Sequence, residues 1–118
     1  HFKRVNDTYG HSAGDRVLES MADIIRKTIR EIDYLIRWGG EEFLIITTGA
    51  DLEYTRKLAE RIRGAVENHS FDIVGKITIS LGVSQYKIGE DIKVCIEKAD
   101  DALYRAKGNG RNRVAVER

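Results

Sequence analysis

The stretch RWGGEEF, residues 37–43, sets two adjacent glycines against two adjacent carboxylates, between runs rich in β-branched and aromatic residues. Glycine has no Cβ, so a phosphate or a base can come against its backbone. A carboxylate just past such a turn can supply one ligand to Mg²⁺, a hard cation that takes one or two protein carboxylates and fills its shell with phosphate oxygens and water. Side chains alternate across a strand, so Glu41 and Glu42, if extended, point to opposite faces and cannot form one paired acid site. The competing reading is a tight hairpin whose glycines make the turn and whose acids are simply solvated.

The elements that must position these residues are legible in the periodicity. Val17, Leu18, Met21, Ile24, Ile25, Ile29 and Ile32 recur at three- and four-residue steps, which predicts an amphipathic helix over 14–32. DYLIRW and FLIITT flank the glycines and read as a hairpin with a primed turn. Asp51 can cap a helix running to about Asn68, with Leu52, Leu58, Ile62, Ala65 and Val66 on one face. KITISLGVSQY, residues 76–86, reads as a strand from its β-branched content. A further helix is expected over 91–107, with Ile92, Cys95, Ile96, Ala99, Leu103 and Ala106 inward and Gly108 as its stop, followed by a short strand in NRVAV. Helices alternating with strands and one hairpin predict a layered α/β or α+β domain.

A chain of 118 residues is expected to form one domain with one core. With 20 Lys and Arg against 19 Asp and Glu the net charge is +1, so no overall field argues for DNA, RNA or a membrane surface. The single cysteine, Cys95, excludes an intrachain disulfide framework and a cysteine-rich zinc site, which fits a reducing, cytoplasmic setting. No apolar run approaches the roughly 20 residues of a membrane helix, and the abrupt start at His1 suggests a piece of something longer.

Four blocks in order carry a resemblance: HFKRVNDTYGHSAGD at 1–15, RWGGEEF, ITISLGVS at 77–84 and ADDALYRAKGNGRNRV at 99–114. Together they are similar to the GGDEF family of diguanylate cyclases, here with GGEEF. The resemblance covers the whole chain. It implies a central antiparallel-rich sheet flanked by helices, like the palm of adenylyl cyclases and polymerases. It also implies condensation of two GTP into cyclic di-GMP across a homodimer, with Mg²⁺ or Mn²⁺. Glu41 matches the metal-binding acid. Glu42 matches the second acid of the signature, with two roles open, orienting the site or assisting deprotonation of the attacking hydroxyl. Gly39 and Gly40 match the positions where the backbone approaches the nucleotide.

Asn6 and Asp15 match the guanine-reading residues, and acceptors there suit the N1–H and 2-amino donors of guanine. Lys107 and Arg111 match the phosphate-binding cations, with Phe2 and Lys3 bordering the phosphates. Arg30 and Asp33, in REID, match the RxxD site where cyclic di-GMP binds and restrains turnover, and Arg61 could add a second arginine to it. Taken alone, these residues also read as turn formers, a basic helix end and a solvated ion pair. His11 and Tyr9 are assigned to structure.

The family pattern further implies an acidic Asp-x-Asp strand just before His1, bearing the other metal ligand. The 118 residues by themselves are therefore expected to be a poor cyclase lacking their first strand, and to be the cytoplasmic output domain of a larger sensor protein. The alternative is an inactive GGDEF domain serving as a receptor for GTP or cyclic di-GMP, or as an interaction module. An intact GGEEF motif argues against it.

Overall fold

The computed structural model describes residues 2–72 and 74–117, and the side chains of Phe2 and Lys3 lie outside that description. The order is α1 (Phe2–Tyr9), α2 (His11–Thr28), β1 (Tyr34–Gly39), β2 (Glu42–Ile46), α3 (Leu52–Asn68), β3 (Ser70–Phe71), β4 (Gly75–Lys76), β5 (Leu81–Ser84), α4 (Ile92–Gly108) and β6 (Val114–Glu117). The predicted mixture of helices and strands is borne out. Among the described residues the two-stranded ladders β1–β2 and β3–β4 are antiparallel and β5–β6 is parallel. Among the described residues no helix is long and apolar enough to cross a membrane.

The chain forms two compact units, one of residues 1–48 and 68–77, the other of 49–67 and 78–118. In the first, α1 and α2 are separate helices, and α2 begins at His11, three residues before the expected start at Gly14. Only Gly10 breaks the path, at φ 89, and its N–H still donates to Asn6 O at 2.9 Å. Ala13, Val17, Leu18, Met21, Ala22 and Ile25 of α2 are buried, as the periodicity requires. The helix stops at Thr28, four residues before the expected end, and Ile32 is exposed. The reason is local: the Asp33 carboxylate draws the Arg30 N–H at 2.9 Å and folds residues 30–33 into a turn.

The second unit is a strand–helix–strand element with a parallel pairing, which needs the crossover helix α4 between its strands. Asp91 caps α4 by accepting from Lys93 N at 3.0 Å, and Asp51 caps α3 by accepting from Tyr54 N at 2.8 Å. Leu58, Ile62, Val66, Val83, Ala102 and Ala106 are buried here. Three expectations shift. Ile92 is exposed rather than inward. The helix runs through Gly108, and the left-handed glycine that ends it is Gly110, at φ 120. The strand expected over 76–86 is ladder-paired at Lys76 and at Leu81–Ser84, and residues 77–80 have no strand partner among the described residues.

Candidate active site

The β1–β2 register pairs Tyr34 with Ile46, Ile36 with Leu44 and Gly39 with Glu42, with an irregularity between Arg37 and Gly39. Gly40 and Glu41 are thus the two turn residues. Gly40 has φ 44 while Glu41 is not left-handed, the sign pattern of a type II′ turn. This corrects the alternation argument for the acids: Glu41 sits in the turn, and only Glu42 is a strand residue, directly opposite Gly39. A feature the sequence reading missed is Arg37, whose Nε and Nη2 both donate to Gly40 O, at 3.0 and 2.6 Å. The guanidinium fixes the turn from the strand side.

Both acids are exposed, and neither makes a hydrogen bond or ion pair within the described residues. A Cβ built at Gly39 or Gly40 meets nothing within 4 Å. The tip therefore offers bare backbone beside two uncommitted carboxylates. Among the described residues no cluster of three or more His, Cys, Asp or Glu stands ready for a metal. The donor set fits a hard cation that takes one carboxylate here and the rest of its shell from phosphate and water.

Asn6, on α1, is half-buried, and its Oδ1 is a buried acceptor with no hydrogen-bond partner among the described residues. Such an atom typically costs about 1–3 kcal/mol, so it calls for a donor from elsewhere. Asp15 is exposed on the second turn of α2, which packs on α1 within the same unit.

Arg30 and Asp33 form a closed clasp. Arg30 Nη2 meets Asp33 Oδ1 at 2.8 Å and Nε meets Oδ2 at 3.1 Å. Arg30 Nη2 also donates to Thr48 O at 2.8 Å, and Thr48 N donates to Asp33 Oδ1 at 3.3 Å. The Asp33 side chain is 0% exposed and that of Arg30 35%. Thr48 is a partner that sequence gave no signal for. The Arg30 side chain, opposed by burial, holds the Asp33 carboxyl below its ordinary value. A carboxylate with a depressed pKa stabilises the fold above its unfolded pKa of about 3.9 and loses that contribution as pH falls through the folded value. Asp33→Asn is accordingly expected to cost about 1–3 kcal/mol at pH 7, because it removes the charge from hydrogen bonds to Arg30 and leaves the guanidinium only its other contacts, Thr48 O among them. Urea midpoints from pH 7 to pH 3 should show the gap to wild type closing with acid; a gap constant with pH would contradict the assignment. An open depression of about 500 Å³ lies here, lined by Arg26, Ile29, Arg30, Glu31, Asp33 and Leu35.

In the second unit Lys107 and Arg111 are exposed at the end of α4, and neither side chain is paired within the described residues. Arg105, by contrast, is bound to Glu117 Oε1 at 2.7 Å and Val116 O at 2.9 Å. Arg61 is exposed on α3. The expected site residues thus fall into a hairpin-and-helix set in one unit and a cation set in the other, and Phe2 and Lys3 lie outside the described side chains.

A helix-flanked α/β fold presenting a Gly-Gly-acid-acid hairpin tip defines a class that the comparisons identify. The family model described as diguanylate cyclase, GGDEF domain, matches residues 1–113, and the chain belongs to this family. It is 48% identical over 119 residues to diguanylate cyclase A of Treponema denticola, covering 98% of this chain and 32% of that protein. It is 43% identical to diguanylate cyclase DgcM of Escherichia coli, covering 96% of this chain and 28% of that protein. The chain thus spans about a third of the length of these relatives. Among solved structures, the active GGEEF domain of a diguanylate cyclase from Vibrio cholerae superposes with a TM-score of 0.93 at 38% identity, covering 100% of this chain and 77% of that one. The GGDEF domain of DgcB from Caulobacter crescentus, in complex with c-di-GMP, gives 0.91 at 36% identity, covering 98% and 71%.

Proposed function

We propose that this is the catalytic domain of a diguanylate cyclase, which condenses two GTP into cyclic di-GMP and releases two pyrophosphates in the cytoplasm. The observation that carries the reading is the hairpin tip, where open backbone at Gly39 and Gly40 adjoins the uncommitted carboxylate of Glu41. In each of two steps a 3′ hydroxyl oxygen bonds to the α-phosphorus of the facing GTP. The bond from that phosphorus to pyrophosphate breaks, and the hydroxyl proton is lost. Because the two nucleotides must face one another, each comes on its own copy of the domain, in a homodimer. Positioning and electrostatics carry most of such a barrier.

Glu41 is the residue of this chain that would hold Mg²⁺ or Mn²⁺, which when bound supplies neutralisation of the developing phosphate charge. Glu42, opposite Gly39, orients and deprotonates the attacking hydroxyl. The orphan Oδ1 of Asn6 and the carboxylate of Asp15 accept from the donor edge of guanine. Adenine offers N1 as an acceptor there, which leaves a carboxylate badly matched. Lys107 and Arg111 take the phosphates, Arg as a fork and Lys as a point charge, and Phe2 and Lys3 border them.

The depression at Arg30 favours a second role, as the inhibitory product site. Since all the acceptor capacity found at Asp33 is spent on Arg30 and Thr48, cyclic di-GMP meets Arg30 first.

The test is incubation of the intact protein with GTP or ATP and Mg²⁺, with products resolved by chromatography. GTP alone should yield the cyclic dinucleotide. Glu41→Gln should lower the rate by about 100-fold or more, the scale of losing one electrostatic contact to the reacting phosphate, with an unchanged circular dichroism spectrum. Absence of any cyclic dinucleotide from GTP would sink the reading and leave the receptor alternative.

A further inference from the structure

A cation on a long side chain binds a triphosphate well only if its backbone is held still, and the end of α4 shows how that is done. The last α-type bond runs from Asn109 N to Arg105 O at 2.9 Å, and the helix then closes with a Schellman-type 6→1 bond in which Arg111 N donates to Ala106 O at 3.0 Å. Gly110, Arg111 and Asn112 then follow with φ of 120, 62 and 48. For non-glycine residues this left-handed conformation is unfavourable, least so for Asn, so something must hold it.

What holds it is the Asn112 amide, both halves of which are used. Its Oδ1 accepts from Arg63 Nη1 at 2.8 Å, and its Nδ2 donates to Glu67 Oε2. Arg63 and Glu67 are one turn apart on α3, within the same compact unit, and are bonded to each other at 3.2 Å. The Asn112 amide, and after it the Arg63 guanidinium, hold the Glu67 carboxyl below its ordinary range. On the other side the Arg111 carbonyl accepts from Arg113 Nε at 3.1 Å. Arg111 is therefore fixed by its own N–H, by its own carbonyl and by the residue after it, while Arg111 is exposed and its guanidinium has no partner among the described residues.

We propose that Asn112, clamped by Arg63 and Glu67, is a positioning residue that aims the Arg111 guanidinium at the triphosphate of the bound nucleotide. The proposal rests on the reading of Arg111 as a phosphate contact. Asn112 touches no substrate; it acts through Arg111. A displacement of about 1 Å in a positioning group can cost up to about 100-fold, so the clamp is a sensitive point.

The experiment is a double-mutant cycle in the intact protein. Asn112→Gly keeps the left-handed backbone accessible and removes the clamp. Glu67→Ala, at a part-exposed helix position, removes a partner from outside the loop and guards against a folding failure of the first variant. Each is expected to raise KM for GTP, about tenfold for Asn112→Gly, with kcat within about twofold. Neither should raise KM further in an Arg111→Ala background. Inorganic tripolyphosphate, titrated by calorimetry, should show the same dependence without turnover. If KM rises by the same factor with and without Arg111, or not at all, the proposal is overturned while cyclic di-GMP production still stands. If no cyclic dinucleotide forms yet tripolyphosphate binding depends on Arg111 and Asn112 together, the enzyme reading fails and the clamp survives.

Discussion

Gly82→Ala is expected to destabilise the domain by about 4 kcal/mol, beyond the roughly 1–3 kcal/mol of ordinary overpacking. A Cβ at Gly82 would stand 2.0 Å from Ala99 O, 2.4 Å from Leu103 N and 3.0 Å from Leu103 Cα. All three are backbone atoms, and the first two are the acceptor and donor of one turn of α4. No rotamer change relieves such a contact. The strand cannot retreat either, because Gly82 is paired with Ala115 of β6 and its neighbour Val83 is buried. Relief requires β5 and α4 to separate, which exposes the apolar face carrying Ala102 and Ala106. Thermal unfolding should fall by more than about 10 °C. A melting temperature equal to wild type would show that the close approach is not a constraint.

The same substitution at Gly39 should have the opposite signature. Nothing lies within 4 Å of a Cβ there, and the backbone does not adopt a left-handed φ. Alanine should leave stability unchanged or raise it by about 0.4–1 kcal/mol, through the smaller entropy of the unfolded chain. Cyclic di-GMP synthesis should nevertheless fall by about 100-fold, because the methyl group occupies the space proposed for the nucleotide, and misplacement of reacting groups by about 1 Å carries a cost of this order. Steady-state rates and urea midpoints measured on one preparation decide it. Undiminished activity would remove Gly39 from the nucleotide's path, and lost activity with lost stability would make it a folding residue.

The helical faces were legible because burial imposes a period that residues such as Val17, Met21, Leu58 and Ile62 obey regardless of their neighbours. The hairpin was legible because two glycines between β-rich runs leave few other conformations. Helix ends were less so. Thr28 and Gly108 end helices for reasons set by Asp33 and by the Gly110 turn, which depend on where side chains land in space. The start of α2 at His11 rather than Gly14 likewise shows α1–α2 packing overriding the local preference of turn-forming residues. At the site, residue types were visible but partners were not. Thr48 is 18 residues from Arg30, and Asn112 is 49 from Arg63, separations at which no sequence spacing carries a signal. The i,i+3 and i,i+4 spacing of Glu60, Arg63 and Glu67 was the available hint. It marked an ion-pair ladder without revealing that the ladder reaches across to another loop.

The clasp joins Arg30 and Asp33, ahead of β1, to Thr48, just past the end of β2, so the hairpin lies inside a ring closed by non-covalent bonds. It acts as a crosslink does, restricting the shapes available to a partly opened hairpin. Unlike a disulfide it needs no oxidant, so it works in a reducing compartment. Part of the closure needs no charge on Asp33: the bond from Arg30 Nη2 to Thr48 O keeps the ring closed whatever the state of the carboxyl.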